Sequence, residues 1–143
     1  MRVIVAGGGT VGGQIARALS AAHNQVIVVE NDSARAAALK AEGLDVVTGN
    51  ASVATSLEAA GALRADVLVA CTERDAENLV IAAMAKRHLQ IPRVVARIND
   101  DANRWLFDAT WGVDAAISSA GALLALIEAP GGQGQASAPL EGR

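Results

Sequence analysis

The chain begins with an apolar strand that runs directly into a glycine loop. This strand–loop junction restricts the folds that the chain can adopt. The strand at residues 2–6 is followed by residues 7–12, GGGTVG, in which Gly7, Gly9 and Gly12 fit the pattern G-x-G-x-x-G. These glycines permit a tight turn, a close approach of backbone to phosphate, and close packing of helix on strand. The sequence predicts a nucleotide-binding βαβ unit here; the alternative is a glycine-rich turn in an ordinary α/β protein.

An acidic residue completes this pattern. The second apolar run, residues 26–29, ends on Glu30, close to the spacing of roughly 20 residues at which a carboxylate accepts hydrogen bonds from ribose hydroxyls. The same carboxylate disfavours a 2′-phosphate, so NADP is not expected. It does not separate NAD from ATP or ADP, because all of them carry a free 2′-hydroxyl. The alternative is a strand-end charge exposed to solvent or a helix-capping partner.

Composition narrows the class of protein further. The 143 residues predict one domain, and 52% hydrophobic with 2% aromatic residues predicts an aliphatic core. A net charge of −3 argues against a nucleic-acid partner, and no apolar run approaches the roughly 18 residues that span a bilayer. The first residues form a strand without a cleavage signal, so export is not expected. The lone Cys71 fits a reducing compartment.

Strand and helix patterns alternate along the whole chain. This order predicts a Rossmann-like, doubly wound parallel sheet of six strands with helices on both faces. Residues 1–129 form the expected domain, and the low-complexity residues 130–143 are expected to be a flexible tail, a linker or an expression remnant. The predicted strands are 2–6, 25–30, 45–48, 67–70, 93–98 and 115–118, and the predicted helices are 11–22, 33–42, 55–60, 75–87, 102–110 and 120–129.

Ligands of such sheets bind outside the carboxyl ends of the strands, so the strand ends are candidate site positions. Asn50 could contact an adenine edge or make an Asx-turn. Arg97 follows a buried strand and needs an anionic partner, either a phosphate or a structural carboxylate. Asn78 lies in the first turn of a helix. Trp105, Phe107 and Trp111 form either a local packing cluster or a contact surface for another subunit.

Catalytic and metal chemistry is not predicted. The chain has no Tyr, neither of its two His residues lies at a predicted strand end, and no Cys/His cluster has metal-ligand spacing. A small NAD-dependent oxidoreductase and an orphan nucleotide-binding dimerisation module remain as alternative functions.

Five segments together resemble the TrkA-N domain, the N-terminal nucleotide-binding (RCK N-terminal) domain of Trk/Ktr-type potassium-uptake regulators. The resemblance covers roughly residues 1–129. It implies a cytoplasmic regulator rather than a catalyst, which binds NAD(H) or ATP/ADP, forms dimers or higher oligomers, and sits beneath a membrane potassium transporter without entering the membrane itself. The five segments are residues 5–12, VAGGGTVG; 28–32, VVEND; 49–52, GNAS; 70–79, ACTERDAENL; and 96–99, ARIN.

By position, the resemblance implies a role for each matching residue. The loop glycines and Arg97 would face phosphates, Glu30 the ribose, Asn50 and Ala51 the adenine, and Thr72 would close the pocket. The chain departs from the family at Asn50, where Asp is usual, and it ends soon after residue 129, where a second regulatory domain commonly follows. The full candidate nucleotide-binding set is Gly7, Gly8, Gly9, Thr10, Val11, Gly12, Glu30, Asn31, Asn50, Ala51, Thr72, Asn78 and Arg97.

Overall fold

A computed structural model describes residues 1–130 of the chain. Apart from Pro130, the tail predicted at 130–143 lies outside the described residues. The α-helices are Thr10–Ala21 (α1), Ser33–Ala41 (α2), Ala54–Ala59 (α3), Asp75–Ala83 (α4) and Ser119–Glu128 (α5). The strands are Arg2–Ala6 (β1), Gln25–Glu30 (β2), Asp45–Thr48 (β3), Val67–Ala70 (β4), Arg93–Ile98 (β5) and Ala115–Ser118 (β6).

All six strands run parallel in one sheet, in the order β3-β2-β1-β4-β5-β6. The chain moves outward from β1 to β3, returns to β4 beside β1, and continues to β6. The predicted Rossmann-like, doubly wound sheet is therefore confirmed. Its switch point lies between β1 and β4, where the two halves diverge, and ligand crevices form at such points.

Alternating side chains of β1 enter two separate cores. Ile4 and Ala6 face a large aliphatic cluster beneath α3 and α4, whereas Val3 and Val5 face a smaller cluster beneath α1 and α2. Both faces of β1 are thus covered, as a central parallel strand requires. Large exposed aliphatic residues are found instead on α5, which contains no buried residue.

Close packing between α1 and the end of β1 fixes the glycine loop. Gly7 adopts a φ of +106°, and its N–H donates to the carbonyl of Val29 at 2.9 Å. A Cβ placed on Gly12 would lie only 1.8 Å from the carbonyl oxygen of Gly7. Helix and strand can therefore meet at this distance only because residue 12 has no side chain.

Two predicted helices differ from the structure. Residues 102–110 do not form one α-helix but two short 3-10 segments, Asp101–Leu106 and Ala109–Trp111. The break falls at Phe107, whose ψ of 72° is not helical and whose ring is buried in the larger core. The helix predicted at 75–87 widens into a π-turn at Met84–His88, where the N–H of Leu89 donates to the carbonyl of Met84.

Among residues 1–130, no helix combines the length and the hydropathy that a membrane crossing needs.

Gly12→Ala is expected to lower the free energy of unfolding by at least about 2 kcal/mol, because the new methyl group overlaps a backbone carbonyl that cannot swing away. Urea denaturation followed by circular dichroism measures this change. Gly9→Ala is the matched control, since the nearest atom to its Cβ would be 3.7 Å away. Equal unfolding midpoints for the two variants would contradict the packing described here.

Candidate functional site

A cleft of about 320 Å³ opens at the carboxyl ends of β1, β2, β4 and β5. A second cavity, of about 750 Å³, is larger but lies along the open apolar face of β4, β5 and β6 beside α1. The polar groups converge on the smaller cleft, which is therefore the candidate site. Of the residues predicted from sequence, the cleft is lined by Gly7, Gly9, Thr10, Val11, Glu30, Asn31, Ala51, Thr72 and Arg97.

The N-terminus of α1 forms one wall of the cleft. Gly9 is the N-cap residue, and no side chain caps the first turn. The first N–H groups of a helix have no intrahelical partners, and the helix dipole adds positive potential at this end. An anion such as phosphate is therefore favoured at this wall.

Glu30 is buried at the end of β2, with 6% of its surface exposed. Its Oε1 accepts a hydrogen bond from the N–H of Gly8 at 2.8 Å, and its Oε2 accepts one from the N–H of Asp32 at 2.8 Å. The carboxylate thus ties the glycine loop to the start of α2. Gly8 itself lies behind this carboxylate and Gly12 lies in the helix–strand contact, so neither lines the cleft.

Arg35, which the sequence analysis did not select, stands beside Glu30. Its Nη1 lies 3.7 Å from Oε1 of Glu30 and about the same distance, 3.7 Å, from a Cβ placed on Gly9. The arginine side chain is 46% exposed and lines the cleft. Its position in the first turn of the helix that follows the acidic strand end is the signal that could have identified it.

Arg97 supplies positive charge on the opposite side. It lies half-buried on β5, and its guanidinium group makes no hydrogen bond or ion pair with any residue from 1 to 130. No carboxylate within residues 1–130 therefore pairs with this guanidinium group. The neighbouring Cys71 thiol is buried, and burial is the main cause that raises its pKa to about 11, despite the opposing charge of Arg97. The thiol is consequently protonated at neutral pH and is a poor nucleophile.

Asn78 acts beneath the cleft rather than in it. The residue is completely buried, and its Oδ1 accepts hydrogen bonds from the N–H and the hydroxyl of Thr72, at 2.9 and 2.7 Å. Its Nδ2 donates to the carbonyls of Thr72 and Arg97, at 3.1 and 2.9 Å. All four of its hydrogen-bonding positions are used, so Asn78 holds the ends of β4 and β5 at a fixed separation.

Asp75 strengthens the same connection. Its carboxylate accepts hydrogen bonds from the N–H groups of Asn99 and Asp100 and from the side-chain amides of Asn99 and Asn103. Burial alone would raise the pKa of Asp75, but these hydrogen bonds together lower it below its usual value. Four hydrogen bonds to one carboxylate therefore connect the start of α4 to the loop after β5.

The turn after β3 contributes backbone more than side chain. Oδ1 of Asn50 accepts from the N–H of Ser52 at 2.8 Å, which is the Asx-turn alternative, and Asn50 does not line the cleft. Gly49 and the buried Ala51 do line it. Glu73, Arg74 and Glu77 form a rim beside Thr72, and sequence analysis missed Arg74 and Glu77.

Metal binding has no support in the described chain, since no three His, Cys, Asp or Glu side chains within residues 1–130 converge on one point. The groups that do converge are the amides at the start of α1, the guanidinium groups of Arg35 and Arg97, with Arg74 at the rim, and the buried carboxylate of Glu30. This set can hold phosphates at one end and a ribose at the other.

Comparison with known proteins agrees with this geometry. The family model of the TrkA-N domain matches residues 3–119. The Trk system potassium uptake protein TrkA of Mycobacterium tuberculosis (strain CDC 1551 / Oshkosh) is 38% identical over 128 residues, which cover 90% of this chain and 58% of that protein. The chain therefore spans little more than half the length of this relative.

Solved structures with bound nucleotides share the fold. The Kef CTD of Shewanella denitrificans in its AMP-bound form is 26% identical, with a TM-score of 0.68 over 89% of this chain and 79% of that one. GsuK bound to ADP is 25% identical, with a TM-score of 0.73 over 89% of this chain and 34% of that one. The GsuK channel bound to NAD is 19% identical, with a TM-score of 0.74 over 88% of this chain and 22% of that one, and at this identity it shows the fold alone.

Asn78→Leu is expected to lower the free energy of unfolding by about 2–4 kcal/mol, because it leaves polar groups of Thr72 and Arg97 buried without partners. Chemical denaturation measures the loss. Asn50→Ala serves as the control, since Asn50 is exposed and makes one hydrogen bond to Ser52, so its loss should stay below about 1 kcal/mol. A stability of Asn78→Leu equal to that of the control would show that Asn78 is not a structural clamp.

Proposed function

The chain belongs to the TrkA-N domain family, and on that basis we propose that it is the nucleotide-binding regulatory part of a potassium uptake system. In this proposal residues 1–129 are one nucleotide-binding domain, located in the cytoplasm and attached to the inner face of the cell membrane through its transporter. The protein is a regulator and not an enzyme. Its relative in Mycobacterium tuberculosis is named for potassium uptake, which supports this assignment.

The observation that carries the proposal is the half-buried, unpaired Arg97 opposite the uncapped N-terminus of α1. Placing a cation in a partly buried position without a partner is unfavourable, and a bound phosphate removes that cost. The α1 amides would bind the same phosphates from the other side. Glu30 would accept the ribose hydroxyls through its remaining lone pairs, and Ala51 and Asn31 would lie beside the adenosine.

The expected ligands are NAD(H) or the adenine nucleotides ATP and ADP. Related structures contain ADP and AMP, which share the adenosine and the first phosphate with NAD. These common groups are what the glycine loop, Arg97 and Glu30 are suited to bind. Asn50 would take part through the turn that it stabilises, and Asn78 and Gly12 would act by positioning the cleft walls.

Regulation would follow from a shift between two arrangements of a dimer. A ligand changes such an equilibrium only by the difference between its affinities for the two states. Ligands that fill the cleft differently, such as NAD and NADH or ATP and ADP, could then have opposite effects on the transporter. The hydrogen bonds from Thr72 through Asn78 to Arg97 would carry the change to β5, the strand beside the edge strand β6.

Two apolar surfaces support association with a second copy. Leu123, Leu124 and Ile127 on α5 are 59%, 49% and 78% exposed. The cavity along β4, β5 and β6 is lined by aliphatic side chains that include Val69, Val95 and Ile117. A helix with no buried residue and an open sheet face are complementary, and exposed patches of this kind mark interaction sites. Trp105, on the 3-10 segment before β6, is 75% exposed, whereas Phe107 packs in the core.

Arg97→Gln is expected to weaken the binding of ADP and of NAD by about 10- to 100-fold, which corresponds to a lost charged hydrogen bond of about 1.5–3 kcal/mol. Isothermal titration calorimetry of the full chain measures the affinities. Arg64→Gln, an exposed arginine remote from the cleft, is the control and should bind as the wild type does. Wild-type affinity in Arg97→Gln would remove Arg97 from the phosphate site.

The double substitution Leu124→Glu with Ile127→Glu is expected to raise the dimer dissociation constant at least tenfold, because it places two charges on the apolar side of α5. Light scattering across a range of protein concentrations measures the change. Leu63→Glu is the control, since Leu63 is 73% exposed on a different segment. A wild-type chain that stays monomeric at all concentrations would contradict the dimer.

Two further measurements test the whole proposal. Identification of the nucleotide retained through purification would name the ligand, and co-purification with a membrane potassium transporter would identify the partner. Substrate-dependent loss of NADH absorbance would overturn the regulatory assignment in favour of an oxidoreductase. Nucleotide binding and a dimer without any transporter would favour the orphan module.

A further inference from the structure

Glu73 places a negative charge at the wall of the cleft where phosphate is expected. It follows Thr72 after β4, its side chain is exposed, and it lines the cleft. Its Oε1 lies 3.9 Å from a Cβ placed on Gly9, the N-cap residue of α1. The carboxylate makes no hydrogen bond or ion pair with any residue from 1 to 130. Within this range, therefore, no other side chain neutralises its charge.

The backbone on both sides of Glu73 is held in place. The N–H of Thr72 donates to Oδ1 of Asn78 at 2.9 Å, and the N–H of Arg74 donates to Oγ1 of Thr72 at 3.3 Å. Asn78 is completely buried, so this turn is anchored in the core. Glu73 consequently keeps its place beside the glycine loop, and its carboxylate moves mainly by rotation of its own side chain.

The lining of the cleft as a whole has no excess of positive charge. It contains three arginine and three glutamate side chains, so that the formal charges cancel. A site for a long chain of phosphates needs a surplus of positive charge, because each added phosphate brings further negative charge. The lining is better matched to a ligand that carries few charges. The six residues are Arg35, Arg74, Arg97, Glu30, Glu73 and Glu77.

Two of these arginines already have a carboxylate beside them. Nη1 of Arg35 lies 3.7 Å from Oε1 of Glu30, and Nε of Arg74 lies 3.9 Å from Oε2 of Glu77. Arg97 is the one whose guanidinium group has no carboxylate partner within residues 1–130. Together with the amides at the start of α1, this single cation suits the two charges of a diphosphate diester. Any further negative charge on the same wall would lie beside an unpaired carboxylate.

We propose that Glu73 determines the ligand preference of the cleft by disfavouring a terminal phosphate, so that the site takes a dinucleotide such as NAD(H) in preference to ATP. In a diester each phosphate carries one negative charge, whereas a terminal phosphate carries about 1.5 to 2 at neutral pH. A carboxylate repels that additional charge, yet it accepts hydrogen bonds from the hydroxyl groups of a second ribose. The inference rests on the proposed nucleotide-binding function.

Calorimetric titration of the full chain with NAD, ADP-ribose, ADP and ATP, in buffer that contains EDTA, tests the proposal. ADP and ADP-ribose are the matched pair, because they differ only in whether the second phosphate is free or esterified. The wild type is expected to bind NAD and ADP-ribose at least about tenfold more tightly than ATP, with ADP between them. Glu73→Gln should strengthen ATP binding at least about fivefold and change NAD and ADP-ribose less than about twofold.

Further variants separate the charge of Glu73 from its size. Glu73→Asp keeps the charge and should keep the preference for NAD, whereas Glu73→Lys should strengthen ATP binding more than Glu73→Gln does. The ratio of the dissociation constants of ATP and NAD should therefore fall in the order Asp, Gln, Lys. Glu58→Gln is the control and should alter none of the four affinities, since it removes an exposed carboxylate of α3 that does not line the cleft.

Each other result decides against the proposal in a recognisable way. An ATP affinity that Glu73→Gln leaves unchanged would overturn the selection and leave the nucleotide-binding function intact. A loss of NAD binding without a gain of ATP binding would make Glu73 a ribose contact only. Magnesium that reverses the order in favour of ATP, in the wild type but not in Glu73→Gln, would make Glu73 a cation ligand instead. Failure of all four compounds to bind the wild type would overturn the proposed function together with this inference. Circular dichroism spectra of the variants exclude misfolding as the cause.

Discussion

The buried carboxylate of Glu30 is the interaction on which the rest of the site depends. It binds the N–H of Gly8 on one side and the N–H of Asp32 on the other, so one side chain fixes both the glycine loop and the start of α2. A buried charge is costly unless it is hydrogen-bonded or paired, and here two backbone N–H groups supply hydrogen bonds. The cleft therefore has its shape before any ligand arrives, which reduces the entropy lost on binding.

A second connection holds the opposite wall. Asn78 joins Thr72 to the carbonyl of Arg97, and Asp75 joins the loops after β4 and β5. Neither residue needs to touch a ligand to affect binding, because each sets the position of residues that line the cleft. In the proposed function, this TrkA-N domain transmits the binding of a ligand to another part of the assembly. Rigid connections suit that role, because packed elements switch between discrete arrangements and do not deform continuously.

The fold could be predicted from the sequence because its periodicity is local and unbroken. The apolar runs of β2, β4 and β5 and the glycines of the first loop each predict their own structure. The prediction of a helix at 102–110 was wrong because burial of Phe107 in the core outweighs local helix propensity.

The cleft residues at strand ends were predicted by topology. Arg35, Arg74 and Glu77 were not, because they lie on or next to helices whose orientation only tertiary packing determines. The sequence likewise did not predict that Asn78 is buried, since an asparagine near the start of a helix is ordinarily exposed.

Three residues, Val11, Cys71 and Arg97, line both the polar cleft and the apolar cavity on the sheet face. One thin wall therefore separates two compartments of different chemistry. A surface that covered the apolar side would contact the same three residues that a nucleotide in the cleft would contact. Suppose that covering the sheet changes the affinity for a nucleotide by some factor. Because the two binding equilibria are coupled, the nucleotide then changes the affinity for the covering surface by the same factor. The apparent strength of nucleotide binding in such a protein would depend on how concentrated the protein itself is.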